Sequence, residues 1–197
     1  MDPREIIINY MKSNKGMITT SELNHINIHR QYLKELLKEE RIEKTNRGVY
    51  ILPEFFADEM FGLQQQFKKG VFSHGTALYL HNLTDRVPLR YTMTFPNTYN
   101  TTNAKRKNID VYRRVNKYYH SNIVVKQTSN AKEVKTYGVE KTLCDIVHPS
   151  SKLSKEEIVN AFKEYSVRKD KNLNILYNLA KQQKVSEIVS RYMEVLL

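Results

Sequence analysis

Four side chains spaced for one helical face carry the most specific chemistry in the sequence: Gln31, Lys34, Glu35 and Lys38. At about 100° per residue they turn away from an apolar stripe made of Leu33, Leu36 and Leu37. A glutamine amide matches the donor and acceptor of adenine in the major groove of DNA, and a lysine reaches a guanine edge or a phosphate. A glutamate accepts from cytosine or simply pairs with a neighbouring lysine. Arg30 and Tyr32 flank this face with groups suited to phosphate, whereas His29 is expected to turn toward the apolar side and pack. Thr20 and Ser21 stand where a preceding helix begins, and free N–H groups with a positive dipole end favour a phosphate there. Lys44 and Arg47 border a glycine-containing turn and would arm it for backbone contacts; the plain alternative for each is a solvated surface residue.

A second basic set lies in the middle of the chain: Arg86, Arg90, Lys105, Arg106, Lys107, Arg113, Arg114 and Lys117. Either these form one face able to meet nucleic acid, a nucleotide or an acidic protein, with Tyr112, Tyr118 and Tyr119 available for base stacking, or they are scattered over the surface. The whole chain has 32 Lys plus Arg against 21 Asp plus Glu, a formal charge of +11 that favours polyanionic partners. The excess is small in residues 1–53, with 9 basic and 7 acidic side chains, and peaks in 54–150, with 14 and 8.

Catalytic constellations are weaker. Asp110 on one expected strand and Glu133 with Lys135 on another have the residue types of a metal-dependent nuclease, at a spacing that arises easily by chance in a Lys- and Glu-rich chain. Cys144 and His148 suggest a thiol nucleophile but lack an orienting motif. His74, His81 and His120 are spaced too irregularly for a closed zinc site, and packed histidines are the simpler account. The six glycines are isolated, so no loop exists to cradle a nucleotide. The expectation is a non-enzyme with no metal and no cofactor.

Two domains fit the 197 residues. In the first, residues 1–53, Asp2 and Pro3 open a helix carrying Ile6, Ile7, Tyr10 and Met11. Thr19 and Glu22 form a capping box for a second helix, a third is predicted over Ile28 to Glu40, and IEKTNRGVYIL reads as a hairpin closed by Pro53. That order is a winged helix-turn-helix. In the second, residues 54–197, a connecting helix is predicted over Glu54 to Lys68 and a buried helix over Phe72 to Leu83 capped by Ser73. Asp85 and Arg86 suit a turn ion pair, and strands are expected at Arg90 to Phe95, Ile109 to Val115, Ser121 to Val125 and Glu133 to Thr136. Helices fill the rest, so the fold class is α+β. One cysteine, no leader-like start and no apolar run near the roughly 20 residues that span a bilayer read as a cytoplasmic protein without membrane contact.

The phrases ITTSEL, HRQYLKELLKEERIEKTNRGVYILP, FSHGTALYLHNLTDRVP and GVEKTLCDIV, in this order, resemble the AbiEi family of abortive-infection antitoxins over most of the chain. The resemblance implies a winged helix that represses its own operon at inverted repeats in double-stranded promoter DNA, with Ile28 to Glu40 as recognition helix and Lys44 to Gly48 as wing. It also implies a second domain opposing a toxin that resembles a nucleotidyltransferase, in a type IV phage-defence arrangement without a stable complex. A DNA-targeted nuclease and a protein adaptor that binds no DNA are the rival readings.

Overall fold

The computed structural model describes residues 2–196, and the chain divides into two compact units, Met1–Lys68 with Thr128–Lys132, and Lys69–Gln127 with Glu133–Leu197. Among the described residues no helix is long and apolar enough to cross a membrane.

The first unit begins with α1 (Pro3–Ser13), where the Asp2 carboxylate accepts from the Arg4 N–H and Pro3 brings a helical φ to a position whose N–H has no partner anyway. Ile7, Ile8 and Met11 face inward. Strand β1 (Met17–Thr19) runs directly into α2 (Thr20–His25) through the expected capping box. Thr19 Oγ1 accepts from the Glu22 N–H at 3.1 Å, and the Glu22 carboxylate accepts from the Thr19 N–H at 2.7 Å. Asn27, left-handed at φ 55°, then breaks the chain before α3 (Gln31–Lys38).

Helix α3 is shorter than its apolar pattern predicts at both ends. Arg30 makes no side-chain cap; His29 supplies one instead, its Nδ1 accepting from the Gln31 N–H at 3.2 Å. At the other end Glu40 turns left-handed, at φ 54°. Strands β2 (Glu43–Asn46) and β3 (Val49–Ile51) follow as the hairpin, completing an antiparallel sheet in the order β1-β3-β2. Gly48 sits at the turn with φ +75°, and a Cβ there would lie 2.9 Å from Thr20 Oγ1. Its carbonyl accepts from the Thr20 N–H at 2.9 Å, which stitches the hairpin tip to the start of α2.

One face of this unit is closed by Ile7, Met11, Ile18, Leu23, Leu33 and Leu36. The other side of the sheet, Met17, Val49 and Ile51, is covered by Phe61 from α4 (Glu59–Gln66). Residues 54–68 therefore lie with the first unit, and only part of the expected connecting helix forms. Asp58 sets its start by accepting from the Phe61 N–H at 2.9 Å, and it also accepts from the Thr128 hydroxyl, which ties the 128–132 loop to this unit.

The second unit runs β4 (Val71–Phe72), α5 (His74–Leu80), β5 (Thr92–Pro96), α6 (Thr102–Arg106), β6 (Asp110–Arg114), α7 (Asn116–Tyr119), β7 (Ile123–Gln127), β8 (Glu133–Tyr137) and α8 (Val139–Ile146). It ends in α9 (Lys155–Ser166), α10 (Leu173–Gln183) and α11 (Ser186–Leu196). The sheet order is β6-β5-β4-β8-β7, with β4–β8 and β5–β6 parallel and the other pairs antiparallel. Its central strand is only two residues long and was read from sequence as the start of a helix. Ser73 occupies the cap position of α5 but makes no side-chain cap hydrogen bond, because its hydroxyl is engaged with His74 and Thr94. Leu78, Leu83, Leu143, Ile146, Phe162, Leu176 and Met193 form the main core under α8 to α11. The α+β class expected from sequence is the class observed.

Replacing Thr19 by Ala removes the acceptor for the Glu22 N–H and is expected to lower stability by about 1 kcal/mol. Urea unfolding followed by circular dichroism measures this, and an unchanged midpoint would show that the cap does not stabilise the fold.

Candidate nucleic-acid interface

Four of the residues expected to touch DNA converge on one concave surface of the first unit: Thr20 at the start of α2, Arg30 in the turn, Lys34 on α3 and Arg47 at the hairpin tip. Asn24, Asn27, His29 and Tyr50 line it with them. Ser21, Gln31, Lys38 and Lys44 are exposed but outside this concavity, and Tyr32 is half-buried against the apolar core.

Two local expectations are corrected. His29 does not pack inward. It is exposed and lines the concavity, and because Nδ1 accepts from the Gln31 N–H, its proton sits on Nε2 as a donor. The helix start at Thr20 and Ser21 also offers fewer open N–H groups than the sequence suggests. The Thr20 N–H donates to Gly48 and the Glu22 N–H to Thr19, so phosphate contact there draws on fewer N–H groups and on the two hydroxyls.

Charge is sorted within this unit. Arg4 bridges Asp2 at 2.8 Å and Glu39 at 3.0 Å, and Arg41 pairs with Glu5 at 2.7 Å. These exposed pairs contribute little stability. They do match three acids with two arginines that stand apart from the concave lining. Among the described residues Arg30, Lys34 and Arg47 enter no ion pair, so their charge remains available to an anion.

Residues 5–53 match a family model described as "Transcriptional regulator, AbiEi antitoxin". The amino-terminal segment belongs to the AbiEi antitoxin regulators. The resemblance read from the sequence phrases is borne out over those residues, which lie in the unit that carries the concave surface. No curated protein sequence matches the chain. The crystal structure of the RV2827C protein from Mycobacterium tuberculosis is similar at a TM-score of 0.60 and 14% identity, over 92% of this chain and 72% of that one. At that identity the likeness is one of fold.

In the second unit the eight basic residues do not stay together as a free set. Arg86 pairs with Glu156 at 2.8 Å rather than with Asp85, and Arg90 with Asp110 at 3.3 Å. Arg113 donates to Thr101 Oγ1 at 2.8 Å. Arg114 turns inward, to 3.6 Å from the buried Asp145. Lys105, Arg106, Lys107 and Lys117 are exposed, Lys117 over the Tyr118 ring. Alternation along β6 explains the split of Arg113 from Arg114, since successive side chains leave a strand on opposite faces.

The candidate catalytic sets do not assemble. Asp110 on β6 and Glu133 with Lys135 on β8 stand three strand spacings apart, roughly 14 Å at about 4.8 Å each. Among the described residues no group of His, Cys, Asp and Glu could hold a metal ion. Cys144 is fully buried, its thiol donates to the Leu176 carbonyl, and burial pushes it up to about 12, which makes it inert. His81 Nε2 bonds the Tyr137 carbonyl at 2.6 Å, and His120 is exposed beside Tyr119.

His74 and the helix α8 hold what the sequence reading missed. The His74 ring stacks on Tyr112, centroids 3.6 Å apart, with 1% exposure and a left-handed φ of 48°. Lys141 donates to both oxygens of Asp145, at 2.5 and 2.6 Å, with both side chains inside the protein. Lysine and aspartate one turn apart on a helix look like a solvated surface pair in a sequence; a buried face flanked by Thr142, Leu143 and Ile146 was the available signal.

Two predictions follow from these arrangements. Lys34→Ala and Arg47→Ala should each weaken binding to double-stranded DNA and flatten its salt dependence by about one counterion, with unchanged circular dichroism; equal affinity in both variants would remove the concave surface from consideration. Burial lowers the His74 imidazole to about 4, Asp145 opposing the shift, while the unfolded chain keeps the ordinary value near 6.5. The unfolded state therefore binds the extra proton between these values, and stability should fall on acidification through that window by about 3 kcal/mol. Urea midpoints across this range should flatten in His74→Asn relative to the unmodified chain, whose His81 titrates with the same sign.

Proposed function

We propose that the chain is an antitoxin that represses its own operon, reading inverted-repeat promoter DNA through α3 and the hairpin. The reading is supported above all by one observation: unpaired cationic side chains from α3, the preceding turn and the hairpin tip converge on one concave surface of a segment that matches the AbiEi regulators. In this reading Gln31 and Lys34 meet base edges from the exposed side of α3. Arg30, Tyr32, Lys38, Thr20 and Ser21 hold phosphates, and Lys44 and Arg47 reach the backbone from the wing. Two monomers on the two half-sites satisfy a repeat without a protein dimer.

The second unit counters a toxin resembling a nucleotidyltransferase, without a stable complex and without catalysis of its own. Its exposed Lys105, Arg106, Lys107 and Lys117 are the basic groups left free to meet an acidic or nucleotide-bearing partner, now that Arg86, Arg90 and Arg114 are paired with carboxylates.

A gel shift on the chain's own upstream DNA against an unrelated duplex of equal length, over a series of salt concentrations, tests the regulator. Tighter binding to the upstream DNA at moderate salt is expected. Equal affinity for the two duplexes at every salt concentration would overturn sequence-specific repression.

A further inference from the structure

Hydrogen bonding around His74 leaves the interior of the second unit rich in donors and short of acceptors. Thr94 Oγ1 donates to Ser73 Oγ at 2.9 Å, so the Ser73 hydroxyl hydrogen is free to point to His74 Nδ1, 3.1 Å away. With Ser73 donating to Nδ1, the imidazole proton sits on Nε2, a buried atom with no hydrogen-bond partner. Arg114 Nη2 also makes no hydrogen bond: it is buried, and its ion pair with Asp145 Oδ1 is 3.6 Å long.

Charge shows the same deficit. Both oxygens of Asp145 are taken by the Lys141 ammonium, which also lies 4.5 Å over the Tyr137 ring. Asp145 is thus shared by two cations, hydrogen-bonded to Lys141 and ion-paired with Arg114 at 3.6 Å, so the three groups together carry one positive charge in excess. A buried excess of positive charge is costly, as is a buried donor without an acceptor. Arg114 and Tyr112 lie two residues apart on one face of β6, and Tyr112 is the ring on which His74 stacks, so the two donors belong to neighbouring residues. A left-handed backbone at His74, unusual for a residue other than glycine or asparagine, holds that ring in place.

We propose that His74 Nε2 and Arg114 Nη2 together bind an oxyanion of the phosphate class. Of the two residues Arg114 keeps the exposed side chain, at 15%, with its Nη2 buried, so entry of the anion requires that this side chain move. His148, half-buried, feels the charges of Arg114 and Asp145, and its Nδ1 accepts from the Ser150 N–H, which leaves its proton on Nε2. A water molecule would give His74 an acceptor but leave the excess positive charge of Lys141, Arg114 and Asp145 in place; a phosphate answers both needs with several oxygens. The site lies wholly in the second unit and does not depend on the DNA-binding reading.

The test is isothermal titration of the full chain with inorganic phosphate at fixed ionic strength and neutral pH, with adenosine 5′-monophosphate and acetate as parallel arms. Saturable phosphate binding at one site per chain is expected, weakened about tenfold or more in His74→Asn and in Arg114→Gln. Asparagine is chosen because it tolerates the left-handed backbone and lacks the Nε2 donor. Tighter binding of the monophosphate than of phosphate would mark the site as a seat for the end of a phosphomonoester; the reverse order would mark a free ion, and both support the proposal. No saturable heat with phosphate or the monophosphate, acetate binding as tightly as phosphate, or unchanged affinity in His74→Asn would overturn it. Should Arg114→Gln fail to fold, the unmodified chain and His74→Asn decide the matter alone.

Discussion

Asp145 is a carboxylate with almost no exposure, and the second unit is arranged around the need to keep it charged and paired. Transfer of such a group from water costs several kcal/mol unless opposite charge and hydrogen bonds are supplied. Lys141 supplies both from one turn earlier on α8, and Arg114 approaches from β6. Burial lowers the Lys141 ammonium, and the carboxylate beside it opposes that shift. The pair fixes the rotation of α8, because the face that carries it must point inward together with Leu143 and Ile146. The same packing brings α8 against α5, whose first residue is His74, so the strained imidazole, the edge strand and the ion pair form one connected set.

The first unit is organised by a different economy of hydrogen bonds. Its sheet, α2 and hairpin meet at Thr19 and Thr20, where the capping box and the Gly48 carbonyl take the N–H groups that a helix start otherwise leaves open. That meeting point sets the distance between hairpin tip and helix pair, and hence the width of the concavity lined by Arg30, Lys34 and Arg47. Phe61 of α4 supports the sheet from behind and Asp58 anchors the 128–132 loop, so segments from outside the winged helix help to hold it. Arginines matched to acids elsewhere leave the concave side with the unopposed charge.

Much of this was legible in the residues themselves. Periodicity and caps place α1, α2 and the hairpin close to where they form, since an N-cap, a capping box or a turn glycine is a contact among residues a few positions apart. The outward direction of Gln31, Lys34, Glu35 and Lys38 also follows from the leucine stripe alone. Boundaries slipped where a single residue outweighed the pattern, as Asn27 and Glu40 do for α3.

What the sequence by itself determined is the α+β class, the winged-helix order and the exposed face of its third helix, all of which rest on short-range geometry and apolar periodicity. Only the tertiary structure decided that β4 is a central strand, that Asp110 stands three strands from Glu133, that Arg114 turns inward while Arg113 does not, and that Lys141 and Asp145 are interior. Those outcomes depend on which distant segment covers a given face. A two-residue strand has no period of its own, and a charge is buried only when the fold delivers its partner.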